Sequence, residues 1–599
     1  MKRILKTLIL SSMMIYTTVA QAQSQGVMFL AKQHCMVRAD EGRRYILLPV
    51  EEKAENCNIR LMAESQVVKT LNVRLAVDNI DYYVPVDLKP CDGKPALLDI
   101  HINGHERQTV QTNEYVCWKT MKATDTFDIA NRERLRPVYH HSPAWGWMND
   151  PNGLFYKDGQ WHLFYQWNPY GSQWENMHWG HSVSRDLVHW EQLGLGIEPD
   201  ALGTVFSGCC VVDKDNTAGF GVGAVIAMYT SAGENQTQSM AYSIDGGKSF
   251  KKYDKNPVIV ADVPDFRDPH IFKNEQTGLW NLILAAGQEM RIYTSTNLKD
   301  WKYESSFGTG YGSHDGVWEC PDLFRLPVEG TNEYKWVLLC NINPGGPFGG
   351  SATQYFVGDF DGYTFKCDTP ADSTLWIDYG KDHYATVSFD NAPDGRRVMI
   401  GWMSNWQYAA QVPTRQYRSA NTIAREPFLF KEGKMTYCGS RPVPEMDALR
   451  GKPVLTATFK AGIKRINKMF KAPQGAYELV LKLTSKKGET MTITLSNTKG
   501  ERVVLTYDEA DSSIAVNRKQ SGETTFSEFF PVETKTRVLG GGMTELRLFI
   551  DNSSVEAFVN GGRTVMTNTV FPSEPYNILT VQGKKGSKVQ SLTIYNLNK

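Results

Sequence analysis

Residues 150–155 read Asp-Pro-Asn-Gly-Leu-Phe, in which a polar residue and a turn lead into a compact apolar strand. The same pattern returns four times further along the chain, at intervals of 52 to 64 residues. The later copies are Ser207–Val212, Asp268–Phe272, Cys320–Phe324 and Tyr384–Phe389. Strand-rich units of about 50 residues that repeat in this way are typical of a β-propeller. The sequence therefore predicts a propeller with five blades.

A second landmark recurs between the copies and supports this count. It is a short polar turn that follows an apolar strand. Its four instances are Ser184–Trp190, Ser243–Gly247, Ser295–Trp301 and Asp359–Tyr363. Each instance lies in the interval between one copy of the first pattern and the next, as a turn within a repeated blade should.

The regions on either side of the repeats also alternate between polar and apolar residues, which is typical of half-buried strands. Short strands such as Tyr45–Val50 predict a small β-domain ahead of the propeller, and Tyr477–Leu483 with the hairpin at Asn560-Gly561 predicts a β-sandwich after it. We therefore predict an all-β chain. Its expected parts are a signal peptide (1–22), an N-terminal β-domain of unknown role (23–128), a five-bladed propeller (132–440) and a C-terminal β-sandwich (448–599).

Composition excludes several classes of protein. The 599 residues contain 65 Lys and Arg against 65 Asp and Glu, so the chain lacks the basic excess of a nucleic-acid binder. Hydrophobic residues at 41% and charged residues at 22% exclude a mostly disordered or fibrous chain. The aromatic content of 11% favours β-structure with flat, stacking surfaces.

The amino terminus carries an export signal. Lys2, Arg3 and Lys6 precede a short apolar run, and Ala20-Gln21-Ala22 forms a cleavage site of small residues. We expect export and cleavage near Ala22. No later segment approaches the 18 apolar residues of a membrane span, so none is predicted.

The cysteines leave two possibilities open. Cys35, Cys57, Cys91 and Cys117 all fall in the first 120 residues, where an oxidising compartment would allow up to two disulfides. Buried free thiols are the equally acceptable alternative. The chain has no C-x-x-C pair, and the sequence predicts no metal site.

Three of the repeat starts carry an acid, namely Asp150, Asp268 and Glu319. A single Asp-Pro usually marks a turn. However, the innermost strands of a propeller surround one axis, so acids at equivalent strand ends converge on a single funnel. We therefore expect these three carboxyls to form one catalytic site.

The neighbours of each acid suggest different roles. The amides of Asn149 and Asn152 could hold Asp150 ionised, as a nucleophile requires. The positive charge of Arg267 favours the anionic form of Asp268, which would bind substrate. Glu319 lies between an aromatic residue and a thiol, where low polarity favours a general acid. Paired carboxyls of this kind suit glycoside hydrolysis. Nearby Trp and amide side chains suit sugar rings, although any single Trp is more often core packing.

With Trp147–Gly153, Arg267–Pro269 and Glu319-Cys320 in this order, residues 132–599 resemble glycoside hydrolase family 32, the β-fructosidases. The resemblance implies a five-bladed propeller followed by a β-sandwich. It makes Asp150 the nucleophile, Asp268 the transition-state stabiliser and Glu319 the acid/base. The further positions that it matches to the first sugar subsite are Asn149, Gln166, Trp174, Ser207, Arg267, Tyr384 and, more weakly, Trp406.

The resemblance also implies a retaining reaction without a cofactor, in which two carboxyls about 5 Å apart form and then hydrolyse a fructosyl-enzyme. The stretch Gly401–Tyr408 is similar to exo-acting inulinases and levanases. The resemblance therefore implies an exo-β-fructosidase that releases terminal fructose from a fructan or fructo-oligosaccharide, with levan and inulin as the expected polymers and sucrose as a further candidate substrate. Three alternatives remain: an endo-levanase, endo-inulinase or fructosyltransferase on the same scaffold, a silent glycan-binding protein, and an inverting five-bladed hydrolase.

Overall fold

The computed structural model describes residues 26–39, 42–130, 133–457, 465–472, 474–485, 487–583 and 587–598. It divides into two compact units, of which the first holds the described residues up to 129 and the second nearly all of the remainder. The predicted signal peptide lies outside the described residues. Within the described ranges no helix is long and apolar enough to cross a membrane.

The first unit contains a five-stranded sheet in the order β1-β2-β7-β4-β5 and a three-stranded sheet in the order β6-β3-β8. The strands are β1 (Val27–Ala31), β2 (His34–Arg38), β3 (Tyr45–Val50), β4 (Cys57–Ala63), β5 (Gln66–Val73), β6 (Tyr82–Asp87), β7 (Ala96–Ile102) and β8 (Lys122–Thr124). A short helix, α1, spans Cys117–Thr120, and single 3-10 turns cover Lys89–Cys91, His105–Arg107 and Thr112–Glu114.

The larger sheet of this unit has one apolar face and one polar face. In β4, for example, Cys57, Ile59 and Leu61 are buried, whereas Asn58 and Arg60 are only partly so. The four cysteines of the unit are buried free thiols, so the structure selects that alternative over disulfides. Burial raises the pKa of Cys57 to about 12, which keeps this thiol protonated.

The second unit contains five propeller sheets, one for each predicted repeat, whose strands pair antiparallel except at one short edge strand. The first blade comprises β9 (Gly146–Lys157), β10 (Gln160–Asn168), β11 (His178–Ser184) and β12 (Trp190–Ile197). The second comprises β13 (Thr204–Asp213), β14 (Ala224–Ala232), β15 (Gln236–Ser243) and β16 (Lys251–Lys252). The third comprises β17 (Phe266–Lys273), β18 (Trp280–Ala286), β19 (Glu289–Ser295) and β20 (Lys302–Phe307).

The fourth blade comprises β21 (Val317–Pro327), β22 (Tyr334–Asn343), β23 (Ala352–Phe360), β24 (Phe365–Cys367) and β25 (Leu375–Trp376). The fifth comprises β26 (Tyr384–Ser388), β27 (Met399–Met403), β29 (Ala420–Asn421), β30 (Arg425–Glu432) and β31 (Met435–Pro442). Strand β28 (Tyr417–Arg418) lies between them in the chain but pairs in parallel with β9 of the first blade. Short 3-10 turns cover Pro393–Gly395, Ala409–Gln411 and Pro444–Leu449.

The innermost strands β9, β13, β17, β21 and β26 contact one another in sequence, and β26 contacts β9. The ring is therefore closed, and the predicted five-bladed propeller is confirmed. The second landmark of the sequence is the turn after the third strand of a blade. There an Asp or Asn side-chain oxygen accepts two backbone N–H groups, which fixes the turn. The four residues are Asp186, Asp245, Asn297 and Asp361.

The chain ends in two six-stranded sheets that enclose one apolar core, as predicted for a β-sandwich. One sheet holds β32 (Arg450–Ala457), β43 (Lys588–Leu597), β34 (Tyr477–Thr484), β39 (Glu545–Asp551), β40 (Ser554–Val559) and β41 (Thr564–Thr569). The other holds β33 (Arg465–Met469), β42 (Ile578–Gln582), β35 (Thr490–Ser496), β36 (Arg502–Asp508), β37 (Ser513–Gln520) and β38 (Glu533–Arg537).

Buried charges join the propeller to the sandwich. Arg518 of β37 is fully buried and pairs with Asp382, two residues before the start of β26. Arg425 of the fifth blade pairs with Glu556 of the sandwich in the same way. Since a buried charge without its partner is strongly unfavourable, these pairs fix the two domains against each other.

Candidate active site

Every innermost strand carries a β-bulge, at which two of its residues face one residue of the second strand. The five pairs are Asn149–Asp150 opposite Gln166, Phe206–Ser207 opposite Thr230, Asp268–Pro269 opposite Leu284, Cys320–Pro321 opposite Cys340, and Ala385–Thr386 opposite Gly401. A bulge interrupts the regular alternation of a strand and re-aims its side chains, and bulges are common beside active sites. Here the five bulges lie at equivalent positions around the ring.

The bulges also correct the register that we expected for the acids. Asp268, Cys320 and Ala385 occupy the same bulge position, and all three have a left-handed φ, of 65°, 41° and 52°. Glu319 therefore aligns with Arg267 and not with Asp268. Left-handed backbone at residues other than glycine costs about 1–3 kcal/mol each and persists where the surrounding structure enforces it, often at functional sites.

Both carboxylate oxygens of Asp150 accept hydrogen bonds, Oδ1 from the Asn149 amide at 3.0 Å and Oδ2 from the Ser207 hydroxyl at 2.7 Å. The Asn152 side chain takes no part, since its Oδ1 accepts the Gly208 N–H instead. Burial and the charge of Glu319 raise the pKa of Asp150, and the two hydrogen bonds offset this rise only in part. The hydrogen bond from Asn149 favours the ionised form of Asp150, as expected from the sequence, but desolvation has the larger effect on the pKa.

Asp268 is almost fully buried. Its Oδ2 accepts the backbone N–H of Cys320 at 3.0 Å, and Nε of Arg267 lies 3.9 Å from the same oxygen. Burial raises the pKa of Asp268 to about 7, because desolvation and the charges of Glu319 and Asp150 together outweigh the attraction of Arg267. Arg267 favours the anionic form of Asp268, as expected from the sequence, but its effect on the pKa is smaller than the combined effect of desolvation and the two neighbouring acids.

The close partner of Arg267 is Glu319. Nη2 and Nε of Arg267 donate to Oε1 of Glu319 at 2.8 and 3.2 Å, and Nη1 of Arg267 donates to Asp265 at 2.6 Å. The other oxygen of Glu319 accepts a hydrogen bond from the phenol of Tyr384. Glu319 is therefore held on one side by a cation and on the other by a hydroxyl group.

Cys320 is a site residue that the sequence analysis did not assign. Its Sγ lies 3.5 Å from Oδ2 of Asp150 and 3.5 Å from Oδ2 of Asp268, so one sulfur bridges the two carboxyls. Burial raises the pKa of Cys320, which keeps the thiol protonated and able to donate. Its place beside Glu319 at a repeat start was the available signal.

Gln166 and Trp174 lie outside this hydrogen-bonded network. Gln166 is buried opposite the bulge that holds Asp150, and its side-chain amide has no hydrogen-bond partner among the described residues. Trp174 is 47% exposed and packs edge-on against Phe206, which precedes Ser207, at 5.9 Å between ring centroids. Trp174 therefore offers exposed ring surface, and Gln166 offers a buried amide whose hydrogen-bonding capacity is unused.

Trp406 is joined to the network indirectly. Its ring stacks on Trp147 at 5.7 Å, and Nε1 of Trp147 donates to the side chain of Asn149 at 2.7 Å. Trp402 and Trp147 are fully buried, whereas Trp406 is only partly buried. Trp406 is thus the member of this aromatic group that retains exposed ring surface.

The contacts join seven of the predicted site residues, namely Asn149, Asp150, Ser207, Arg267, Asp268, Glu319 and Tyr384. Asp268 and Glu319 share the Arg267 guanidinium, and the Cys320 thiol links Asp268 to Asp150, so the protonation states of the three carboxyls depend on one another. A propeller that gathers carboxyls in this way has the fold and chemistry of a glycoside hydrolase, which cleaves with a pair of carboxyl groups.

Comparison with known proteins agrees. The N-terminal domain of glycosyl hydrolases family 32 matches residues 140–437, and the C-terminal domain of that family matches residues 445–596. The chain therefore belongs to glycosyl hydrolase family 32 and is a glycoside hydrolase. Residues 31–139 match a domain of unknown function, DUF4980.

A levanase from Bacillus subtilis (strain 168) is 45% identical over 482 residues, which are 78% of this chain and 71% of the levanase. The crystal structure of exo-inulinase from Aspergillus awamori superposes with a TM-score of 0.73 at 35% identity, over 78% of this chain and 99% of that one. A fructofuranosidase from Schwanniomyces occidentalis complexed with fructose gives a TM-score of 0.72 at 34% identity, over 78% of this chain and 98% of the fructofuranosidase.

Proposed function

We propose that this enzyme is a retaining exo-β-fructosidase that releases terminal fructose from fructans, levan or inulin. The observation that carries the proposal is the single network in which the Cys320 thiol links Asp150 to Asp268 and the Arg267 guanidinium links Asp268 to Glu319. The levanase, exo-inulinase and fructofuranosidase named above support a β-fructofuranoside as the substrate.

In the first step, Glu319 protonates the glycosidic oxygen while a carboxylate oxygen of Asp150 attacks the anomeric C2 of the terminal fructose. The C2–oxygen bond to the leaving chain breaks as the bond to Asp150 forms. Asp268 accepts hydrogen bonds from fructose hydroxyls, and its negative charge stabilises the cationic character that develops on the ring. The hydrogen bonds of Asn149 and Ser207 fix the orientation of Asp150 for attack.

In the second step, Glu319 takes a proton from water, and the hydroxide that forms attacks C2 and releases Asp150. Two displacements at the same carbon return the original configuration, so the first product is the β-anomer of fructose. Tyr384 and Arg267 keep Glu319 in place through both steps. The unpaired amide of the buried Gln166 and the exposed ring of Trp174 provide a donor, an acceptor and an apolar face for the sugar.

The proposal is tested by incubating the purified enzyme with levan, inulin and sucrose and following the products. We expect fructose from the start of the reaction, with β-fructofuranose as the first anomer in proton NMR. The Asp150→Asn variant should lose at least about 100-fold in kcat. Asp390→Asn is the matched control, since Asp390 is a partly buried acid that lies two residues beyond the end of the fifth innermost strand.

Different products would contradict the proposal in identifiable ways. Early long oligosaccharides would indicate an endo-acting enzyme, and transfer products that grow with sucrose concentration would indicate a fructosyltransferase. The opposite first anomer would indicate an inverting reaction. If Asp150→Asn hydrolyses fructan as fast as Asp390→Asn, the assignment of the nucleophile is wrong. The ratio of the rates on levan and inulin gives the linkage preference.

We also infer that the enzyme is exported and that its signal peptide is cleaved near Ala22. The basic start, apolar run and small-residue site at residues 1–22 support this, as does the extracellular exo-inulinase among the relatives. Amino-terminal sequencing of protein recovered outside the cytoplasm should begin near Gln23. Recovery of the chain only from the cytoplasm, with Met1 intact, would contradict it.

A further inference from the structure

His34, Asp99 and His101 form a cluster on the polar face of the five-stranded sheet in the first unit. His34 of β2 pairs directly with His101 of β7, and Asp99 lies two residues before His101 on the same strand. Residues two apart on a strand point to the same side, so the sheet register brings all three side chains together. The opposite face of these strands is apolar and buried.

The ligand atoms of the three side chains all lie within 4.8 Å of one another. Nε2 of His34 is 2.6 Å from Oδ1 of Asp99, and Nε2 of His101 is 3.8 Å from the same oxygen. The two imidazole rings stack at 4.2 Å. A metal ion that bonds its ligands at about 2 Å needs donors roughly 3–4 Å apart, so small side-chain rotations would suffice.

We propose that His34, Asp99 and His101 form a binding site for a divalent transition-metal ion of the zinc type. Two imidazole nitrogens and one carboxylate oxygen suit Zn²⁺, Ni²⁺ or Cu²⁺, whereas Ca²⁺ and Mg²⁺ require mostly oxygen ligands. Asp99 is buried, but the side chains of His34 and His101 are 28% and 41% exposed, so an ion can enter from solvent. Three protein ligands leave a coordination position open.

Arg60 determines how tightly the ion binds. It lies opposite Asp99 on β4, and its Nη2 is 2.7 Å from Oδ2 of Asp99 and 3.2 Å from Nε2 of His101. The first contact engages Oδ2, so Oδ1 stays directed at the two histidines, and it orients the carboxylate, as outer-shell partners of metal ligands do. The second contact competes with the metal for His101. The Arg60 side chain is 43% exposed, so it can turn into solvent when the ion binds.

The proposed site is tested by metal-binding measurements on the full chain, in which some substitutions should weaken binding and one should tighten it. The chelator-stripped protein is titrated with ZnCl₂ by calorimetry, and Co²⁺ binding is followed by its visible absorption. Wild type should bind one ion at this site, and His34→Ala and His101→Ala should each weaken binding at least tenfold. Arg60→Met should bind several-fold more tightly than wild type, because the competitor for His101 is removed. His105→Ala is the matched control, since His105 lies in the same unit outside the cluster.

The melting temperature of each metal-free variant shows whether it folds. If His34→Ala fails to fold, His101→Gln, which keeps a polar side chain of similar size, takes its place. Zn²⁺ binding by wild type that is no tighter than binding by the His34→Ala/His101→Ala double variant would overturn the proposal. Weaker binding by Arg60→Met would overturn the competing role of Arg60, since the guanidinium would then support the site.

Discussion

Replacing Asp268 by Asn should make the protein more stable at neutral pH while it removes most of the activity. Asn is nearly isosteric, and its carbonyl oxygen can still accept the Cys320 N–H that now donates to Oδ2 at 3.0 Å. What the substitution removes is a negative charge in a buried site that also holds Asp150 and Glu319. Functional carboxyls of this kind commonly reduce stability.

The magnitude follows from the pKa of Asp268, which burial raises from 3.8 to about 7. Ionising this carboxyl in the folded state therefore costs up to about 4 kcal/mol relative to the unfolded chain, at about 1.4 kcal/mol per pKa unit. Both states bind the proton below about pH 3.8, so there is no penalty there. The penalty grows as pH rises, because only the unfolded chain has then released its proton, and it levels off above about pH 7. The Asn variant avoids it.

The assay is thermal unfolding of wild type and Asp268→Asn at several pH values from 5 to 8, with kcat/KM for sucrose measured in parallel. The variant should have a higher free energy of unfolding than wild type, and the difference should widen from pH 5 to pH 7. Above pH 7 the difference should stay constant at about 1–4 kcal/mol. The rate should fall at least about 100-fold, as when a preorganised electrostatic partner of the transition state is lost. A gap in stability that does not change with pH would refute the reasoning.

Asp245→Asn is a control of opposite sign within the same propeller. Although partial burial alone would raise it, the pKa of Asp245 is lowered to about 2 by hydrogen bonds from Ser249, Ser243 and Lys248. The Asn variant should therefore be less stable than wild type at neutral pH, and this deficit should shrink as pH falls toward 2. If both variants shift stability in the same direction at pH 7, the linkage argument fails.

Two further predictions concern the domain junction and Glu319, the proposed acid/base residue. Arg518→Met leaves Asp382 buried without its cation and should cost about 3–5 kcal/mol of unfolding free energy. Lys535→Met on the adjacent strand breaks only an exposed pair and should leave the melting temperature nearly unchanged. Equal melting temperatures of the two variants would contradict this. Tyr384→Phe removes the phenol that donates to Glu319 and should lower kcat/KM about 10- to 100-fold, with an unchanged circular dichroism spectrum; a loss below twofold would rule out a positioning role for Tyr384.

Much of the fold could be predicted because its signals are local. A polar residue, a turn and an apolar strand recur with the spacing of one blade, and each copy proves to be an innermost strand. The acids of the site were predictable for the same reason, since Asp150, Asp268 and Glu319 stand at or beside those starts. The role of Cys320 was not, because a thiol becomes a bridge between two carboxyls only when blades one, three and four are assembled.

The sequence by itself determined the repeat, the domain order and the residues available for chemistry, because strand patterns and turn residues act over short stretches of chain. Tertiary structure decided which groups meet and in what state. The bulges pair Arg267 with Glu319 more closely than with its neighbour Asp268, and burial raises the pKa of Asp150 and of Asp268 despite their hydrogen-bond donors. Strand register likewise brings His34 to Asp99 and His101. Desolvation and long-range pairing depend on residues far apart in the chain, so no local pattern encodes them.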